Sequence, residues 1–285
     1  MKNNRKNLQK KTVHKRKSSR KRKSSRIQRK TNTNLQKYNL LVISMDNENG
    51  KERRKFLNYP YTFIKGLKGN DLKNTIVTNV NKKFFSRYNQ DRKSSKFNGF
   101  VGNFSSHIKC YHYIIKNNLK NNVILEDDSI LSNKLPYPSK LPNDSLTLFS
   151  GRLQPPKSWR ESEKFHKNCT PKKIIKSFKK GINLIDYDKF RFTQSNAIFV
   201  PNKEVAKNVI NHMKKSKHYK SMDLYYSKEK LVKYLYYPAP FTHDDQIAKV
   251  GSNILKGKGQ GIIKNYVLIK PPSKSKNNYF YPHCL

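Results

Sequence analysis

Apolar residues along this chain fall in short blocks whose internal spacing changes from one block to the next. Asn39-Leu40-Leu41-Val42-Ile43-Ser44 is an aliphatic run bounded by polar residues, the pattern of a strand buried on both faces. A polar turn from Met45 to Gly50 leads into a short charged helix carrying Arg53 and Arg54, then into a second short strand at Tyr61-Thr62-Phe63-Ile64. Residues 70–98 are polar and unpatterned, which predicts an irregular connection. Phe104, Ile108, Tyr111, Ile115 and Leu119 then recur at three- and four-residue steps, predicting an amphipathic helix with Asn103 as its N-cap.

That helix feeds the stretch from Asn122 to Leu131, in which Val123-Ile124-Leu125 runs directly into Glu126-Asp127-Asp128. Ser145 to Phe149 reads as another strand, stopping at Ser150-Gly151, and residues 152–190 read as basic loop. Ala197-Ile198-Phe199-Val200 is a strand ended by Pro201, and Glu204 to Met213 is a helix with Val205, Val209, Ile210 and Met213 on one side. A helical stretch is predicted from Met222 through Leu235, and a polar loop from Tyr237 to Asp245. Strands alternating with helices predict an α/β fold with a mostly parallel sheet flanked by helices.

Composition sharpens one feature. The chain holds 62 Lys plus Arg against 18 acids, so three consecutive carboxylates stand out. Adjacent carboxylates repel by roughly 1–4 kcal/mol per close pair, and a bound cation or metal–polyphosphate complex relieves that cost. The triplet predicts a metal-binding cluster at the carboxyl end of a core strand, where open α/β sheets place their ligands. The plainer alternative is a solvated acidic turn.

Residues 1–37 contain 16 Lys or Arg and no acid, with near repeats of Arg-Lys-Ser-Ser-Arg. Such a block reads as a disordered basic tail with nonspecific affinity for nucleic acid or other polyanions. No apolar run approaches the eighteen or so residues a membrane span requires, and the amino terminus lacks the apolar core of a secretory signal. Cys110, Cys169 and Cys284 are odd in number and widely spaced, which disfavours a disulfide framework or a zinc cluster. These features fit the cytoplasm, the nucleus or a virion.

Several segments occur in a particular order: an Arg-Arg helix after the first strand, Gly66-x-x-Gly69-Asn70, Gly102-x-x-x-Ser106-His107, Val123-Ile124-Leu125-Glu126-Asp127-Asp128, Asp144 to Gly151-Arg152, the Ala197 strand and Met222-Asp223. In this order they resemble glycosyltransferase family 25, which includes lipopolysaccharide-biosynthesis sugar transferases and procollagen galactosyltransferases. The resemblance covers roughly residues 39–254. It implies a GT-A-like nucleotide-sugar fold over residues 38–256, between the tail and a basic C-terminal extension at 257–285. It also implies transfer of a hexose from a UDP-sugar to a hydroxyl of a protein, lipid or glycan acceptor, with Mn²⁺ or Mg²⁺. Lys68 departs from the family pattern, which has an acid there, and Ser195-Asn196 stand where Tyr is common.

Carried onto these residues, the resemblance makes Asp128 the foremost metal ligand, with Glu126 and Asp127 as contacts to the metal shell or the ribose. Alternation along an extended strand would set Glu126 and Asp128 on one side. Ser106 and His107 are donor-site candidates, His107 being equally readable as a structural histidine. Arg152 is a phosphate-binding candidate or a solvated arginine. Asp223 and Asp244 are the candidate bases for the acceptor hydroxyl, and His243 a metal ligand from a late loop. Two rival readings use the same residues: a polyanion-binding protein with a non-catalytic transferase-like domain, and a two-metal nuclease.

Overall fold

The computed structural model describes residues 34–68, 95–154, 177–188, 191–215 and 222–243. Nine strands are described: β1 (Asn39–Ser44), β2 (Thr62–Lys65), β3 (Asn122–Glu126), β4 (Ser129–Leu131), β5 (Leu146–Gln154), β6 (Gly181–Leu184), β7 (Arg191–Val200), β8 (Val232–Tyr237) and β9 (Phe241–His243). Four α-helices accompany them: α1 (Glu48–Arg54), α2 (Ser95–Lys116), α3 (Lys203–Lys215) and α4 (Met222–Lys228).

Seven strands form one sheet in the order β2-β1-β3-β7-β5-β8-β6, and β4 pairs with β9 in a separate ribbon. The pairings of β1 with β2 and β3, and of β5 with β8, are parallel; the others are antiparallel, so five of the seven strands run one way and β6 and β7 oppose them. The sheet is thus mixed but mostly parallel in direction, with helices against it, as predicted.

The aliphatic runs fold as they do because both faces of the central strands are covered. Leu41, Ile43, Ile124 and Ile198 belong to one apolar cluster with residues of α2, α3 and α4. Leu40, Val42, Val123, Leu125 and Phe199 point the other way, into a cluster closed by Tyr38, Tyr59, Leu135 and Phe241. This is the alternation of a strand with two buried faces. The second cluster also takes in Leu35, so packed residues begin ahead of position 38, and the Asn34 side chain donates to Leu135 O at 2.9 Å.

Four expectations need correction. The helix preceding the acidic stretch starts at Ser95, so Asn103 lies inside it and caps nothing. Its end is an αL turn: Asn118 has φ 49, Asn118 N–H bonds Ile115 O, and Leu119 N–H bonds Ile114 O. The helix expected from Met222 through Leu235 stops at Lys228, where Lys230 takes φ 53 and the chain re-enters the sheet as β8. The alternating Val232-Lys233-Tyr234-Leu235 pattern and its aromatics suit a strand better than a helix. Strand β5 continues through Ser150-Gly151 to Gln154, and the late polar loop contains β9.

Candidate active site

The acidic stretch is two strands and a corner. β3 ends at Glu126, Asp127 and Asp128 form a turn, and β4 departs into the small ribbon. The turn therefore sits at the carboxyl end of β3 beside that of its parallel neighbour β1. Because the strand stops at Glu126, the alternation that would align Glu126 with Asp128 has no strand to run on. The three acids go to three different environments.

Asp127 faces β1 and α1. Its Oδ2 accepts from Ser44 Oγ at 2.7 Å and its Oδ1 from Arg53 Nη1 at 2.9 Å. Burial pushes this carboxyl above the ordinary range more than Arg53 pulls it back, and the neighbouring Asp128 adds to the rise. With each oxygen bonded to Ser44 or Arg53, Asp127 anchors the turn to β1 and α1. Arg54 completes the anchor, donating to Ser44 Oγ at 2.7 Å and Met45 O at 3.0 Å, with its guanidinium 4.3 Å from the centre of the Phe63 ring. Asn47 caps α1 by accepting from Gly50 N–H. At Gly50 a Cβ would lie 1.9 Å from Met45 O, so only glycine lets α1 approach the end of β1 this closely.

Glu126 faces α2. Asn103 Nδ2 donates to its Oε1 at 2.9 Å, and His107 Nε2 stands 3.7 Å from the same oxygen. His107 is 2% exposed, and its Nδ1 meets Tyr226 Oη at 3.2 Å; that hydroxyl in turn lies 2.6 Å from Tyr111 Oη. Complete burial raises both phenols well above their ordinary range, so they stay protonated and serve as fixed dipoles. His107 is thus a buried histidine held through its Nδ1 by the Tyr226–Tyr111 pair, with its Nε2 turned toward Glu126. Ser106 Oγ donates to Gly102 O at 2.6 Å and accepts from Leu67 N–H at 2.9 Å, tying α2 to the Gly66-Leu67 loop.

Asp128 is half-buried in the turn, near Tyr59, whose phenol is held well above its ordinary range by burial first and by the Asp128 charge second. Tyr59 donates to Ser129 O at 2.7 Å and packs edge-on against Phe241. Ser129 pairs in register with His243, so the β9 backbone brings His243 level with the residue following Asp128. Asp223 lies on α4 and Arg152 on β5, while Asp244 falls outside the described residues.

No group of three or more His, Cys, Asp or Glu side chains gathers among the described residues. Glu126 and Asp128 are hard oxygen donors, chemistry suited to Mn²⁺ or Mg²⁺ rather than to a softer metal. Asn103, Arg53, Ser44 and Tyr226 escaped assignment as site-shaping residues. Only the Arg53-Arg54 pair carried a signal, through its place in the ordered motifs.

A mixed α/β sheet with helices against it, turning through acids at the carboxyl edge of its parallel strands, is consistent with the fold of nucleotide-sugar transferases. The family model of glycosyltransferase family 25 (LPS biosynthesis protein) matches residues 25–238. The chain belongs to glycosyltransferase family 25, and with it to the glycosyltransferases. A search of curated proteins finds no significant match.

Proposed function

We propose that this protein transfers a hexose from a UDP-sugar to a hydroxyl of a glycan, protein or lipid acceptor, on a GT-A-like domain with a divalent cation. The observation carrying this reading is the divided acidic turn. Asp127 anchors it through Ser44 and Arg53, and Asn103 steadies the Glu126 carboxylate at the end of β3, where open sheets of this class place their ligands.

In this reading Asp128 and Glu126 would hold Mn²⁺ or Mg²⁺, with His243 on β9 as the third ligand, and a cation there would supply neutralisation of the charge that grows on the leaving diphosphate. Asn103 fixes the Glu126 carboxylate by donating to its Oε1, so that it need not reorganise when donor binds. Arg152, on β5, contacts phosphate. A carboxylate, Asp223 first and Asp244 second, takes the acceptor hydroxyl's proton as the new glycosidic bond forms and UDP departs.

The test is nucleotide release from UDP-galactose and UDP-glucose with Mn²⁺, on the intact protein and on Asp128→Asn. Turnover and UDP binding should both fall at least tenfold in the variant while the fold is retained. Absence of turnover in the intact protein, with UDP binding indifferent to Asp128, would overturn the mechanism.

A second activity has its own observation, the 16 basic residues and no acids of positions 1–37. These would hold a polyanion such as nucleic acid, with an affinity that falls steeply with salt. Because Asn34 and Leu35 are packed into the fold, a deletion should end at residue 33. It should remove polyanion binding and spare catalysis.

A further inference from the structure

We propose that Asn196 reads a hydroxyl of the transferred hexose, making the β7 side of the acidic turn the sugar-recognising wall of the site. This rests on the donor reading above.

Asn196 is 4% exposed, yet neither its Oδ1 nor its Nδ2 has a hydrogen-bond partner among the described residues. Its backbone carbonyl is used, accepting from Ser129 Oγ at 2.7 Å. A buried carboxamide with nothing on its donors or its acceptor is strongly disfavoured unless something polar reaches it. His107 Nε2, equally buried, likewise lacks a hydrogen-bond partner among the described residues and stands 3.7 Å from Glu126 Oε1.

The sheet brings these groups to one place. Leu125 and Ala197 are the last paired residues of β3 and β7, so Glu126 and Asn196 occupy the next position on neighbouring strands. Alternation groups Asn196 with Ile198 and Glu126 with Ile124, and both isoleucines belong to the cluster beneath α2. The backbone is irregular at this point. Ser150 pairs with Ala197 and Arg152 with Thr193, so the three residues from Gln194 to Asn196 oppose Gly151 alone. Such bulges re-aim side chains and recur beside active sites.

The chemistry selects the ligand class. A carboxamide offers a donor and an acceptor together, which a hydroxyl can satisfy at once. A neutral carboxamide brings no charge to hold a phosphate, so the hydroxyl-bearing hexose, and not the diphosphate addressed by the carboxylates of the turn, is the part of the donor that belongs on Asn196. Asn196 is a specificity residue in this scheme, distinct from the ligands of the charged half.

The experiment is calorimetric titration of the full-length protein, in Mn²⁺, with UDP, UDP-galactose, UDP-glucose and the monodeoxy analogues of each sugar. The wild type should lose roughly tenfold in affinity for the analogue missing the hydroxyl that Asn196 meets. Asn196→Leu, of the same shape, and Asn196→Ser should bind the parent UDP-hexose about tenfold more weakly, stop discriminating against that analogue, and bind UDP as the wild type does. Discrimination unchanged in either folded variant would overturn the proposal, whatever happens to thermal stability, because it would mean that the amide is met by solvent inside the fold. So would a wild type that treats every monodeoxy donor as the parent, a result needing no variant at all. Failure of the wild type to bind UDP is a different outcome: it overturns the donor reading itself, and this assignment with it.

Discussion

Arg53 and Asp127 form a buried ion pair, Nη1 to Oδ1 at 2.9 Å, with each side chain only 9% exposed. It joins the helix after the first strand to the turn after the third. Removing one partner strands the other charge in an apolar setting, which costs about 3–5 kcal/mol. Arg53→Ala and Asp127→Ala should each lower the unfolding free energy by that amount in urea titrations. Replacing both by apolar residues, Arg53→Met with Asp127→Leu, should recover most of it. A double variant as unstable as the singles would refute the account.

Gly50→Ala probes the same anchor through the backbone. The added methyl would lie 1.9 Å from Met45 O, so α1 must move away from β1 and carry Arg53 and Arg54 with it. We expect about 1–3 kcal/mol of destabilisation by overpacking, together with weaker UDP binding. Thermal unfolding and a UDP titration on one sample check both.

Tyr226→Phe removes the hydroxyl that bridges Tyr111 and His107. Two buried polar atoms lose a partner, at a cost of about 1–3 kcal/mol each at most. Tyr111→Phe should cost less, since the Tyr226 hydroxyl keeps His107. The double variant should be far from additive, which a double-mutant cycle in urea measures.

How much of this was legible beforehand depended on how local each signal is. The limits of β1 agree with the run from Asn39 to Ser44, because its four aliphatic residues are buried on both faces and a polar residue marks each end. Strand β8 was missed because its turn is made by Lys230, a residue type that does not announce a positive φ. The acidic triplet was visible because acids are scarce in this chain. Its division of labour was not, since the partner of Asp127 comes 74 residues earlier. Asn103 misled for a related reason: cap residues are recognised by type, and nothing local says that this one lies mid-helix and reaches Glu126.

His112 gives a pH-dependent expectation away from the site. Partial burial lowers its pKa below 6.5, and the positive charge of Lys214 lowers it further. The unfolded chain therefore binds the proton more readily. The histidine favours folding above pH 6.5 and opposes it as pH falls through its folded value. Lys214→Gln should raise the His112 titration midpoint in an NMR pH series; no movement would show that the lysine is too well screened to matter.

The ribbon of β4 and β9 has a consequence for the order of events in the cell. Ser129 leaves the acidic turn, yet its partner His243 is translated long afterwards. A nascent chain that has just extruded Ser129 cannot close this ribbon until the distal strand clears the ribosome.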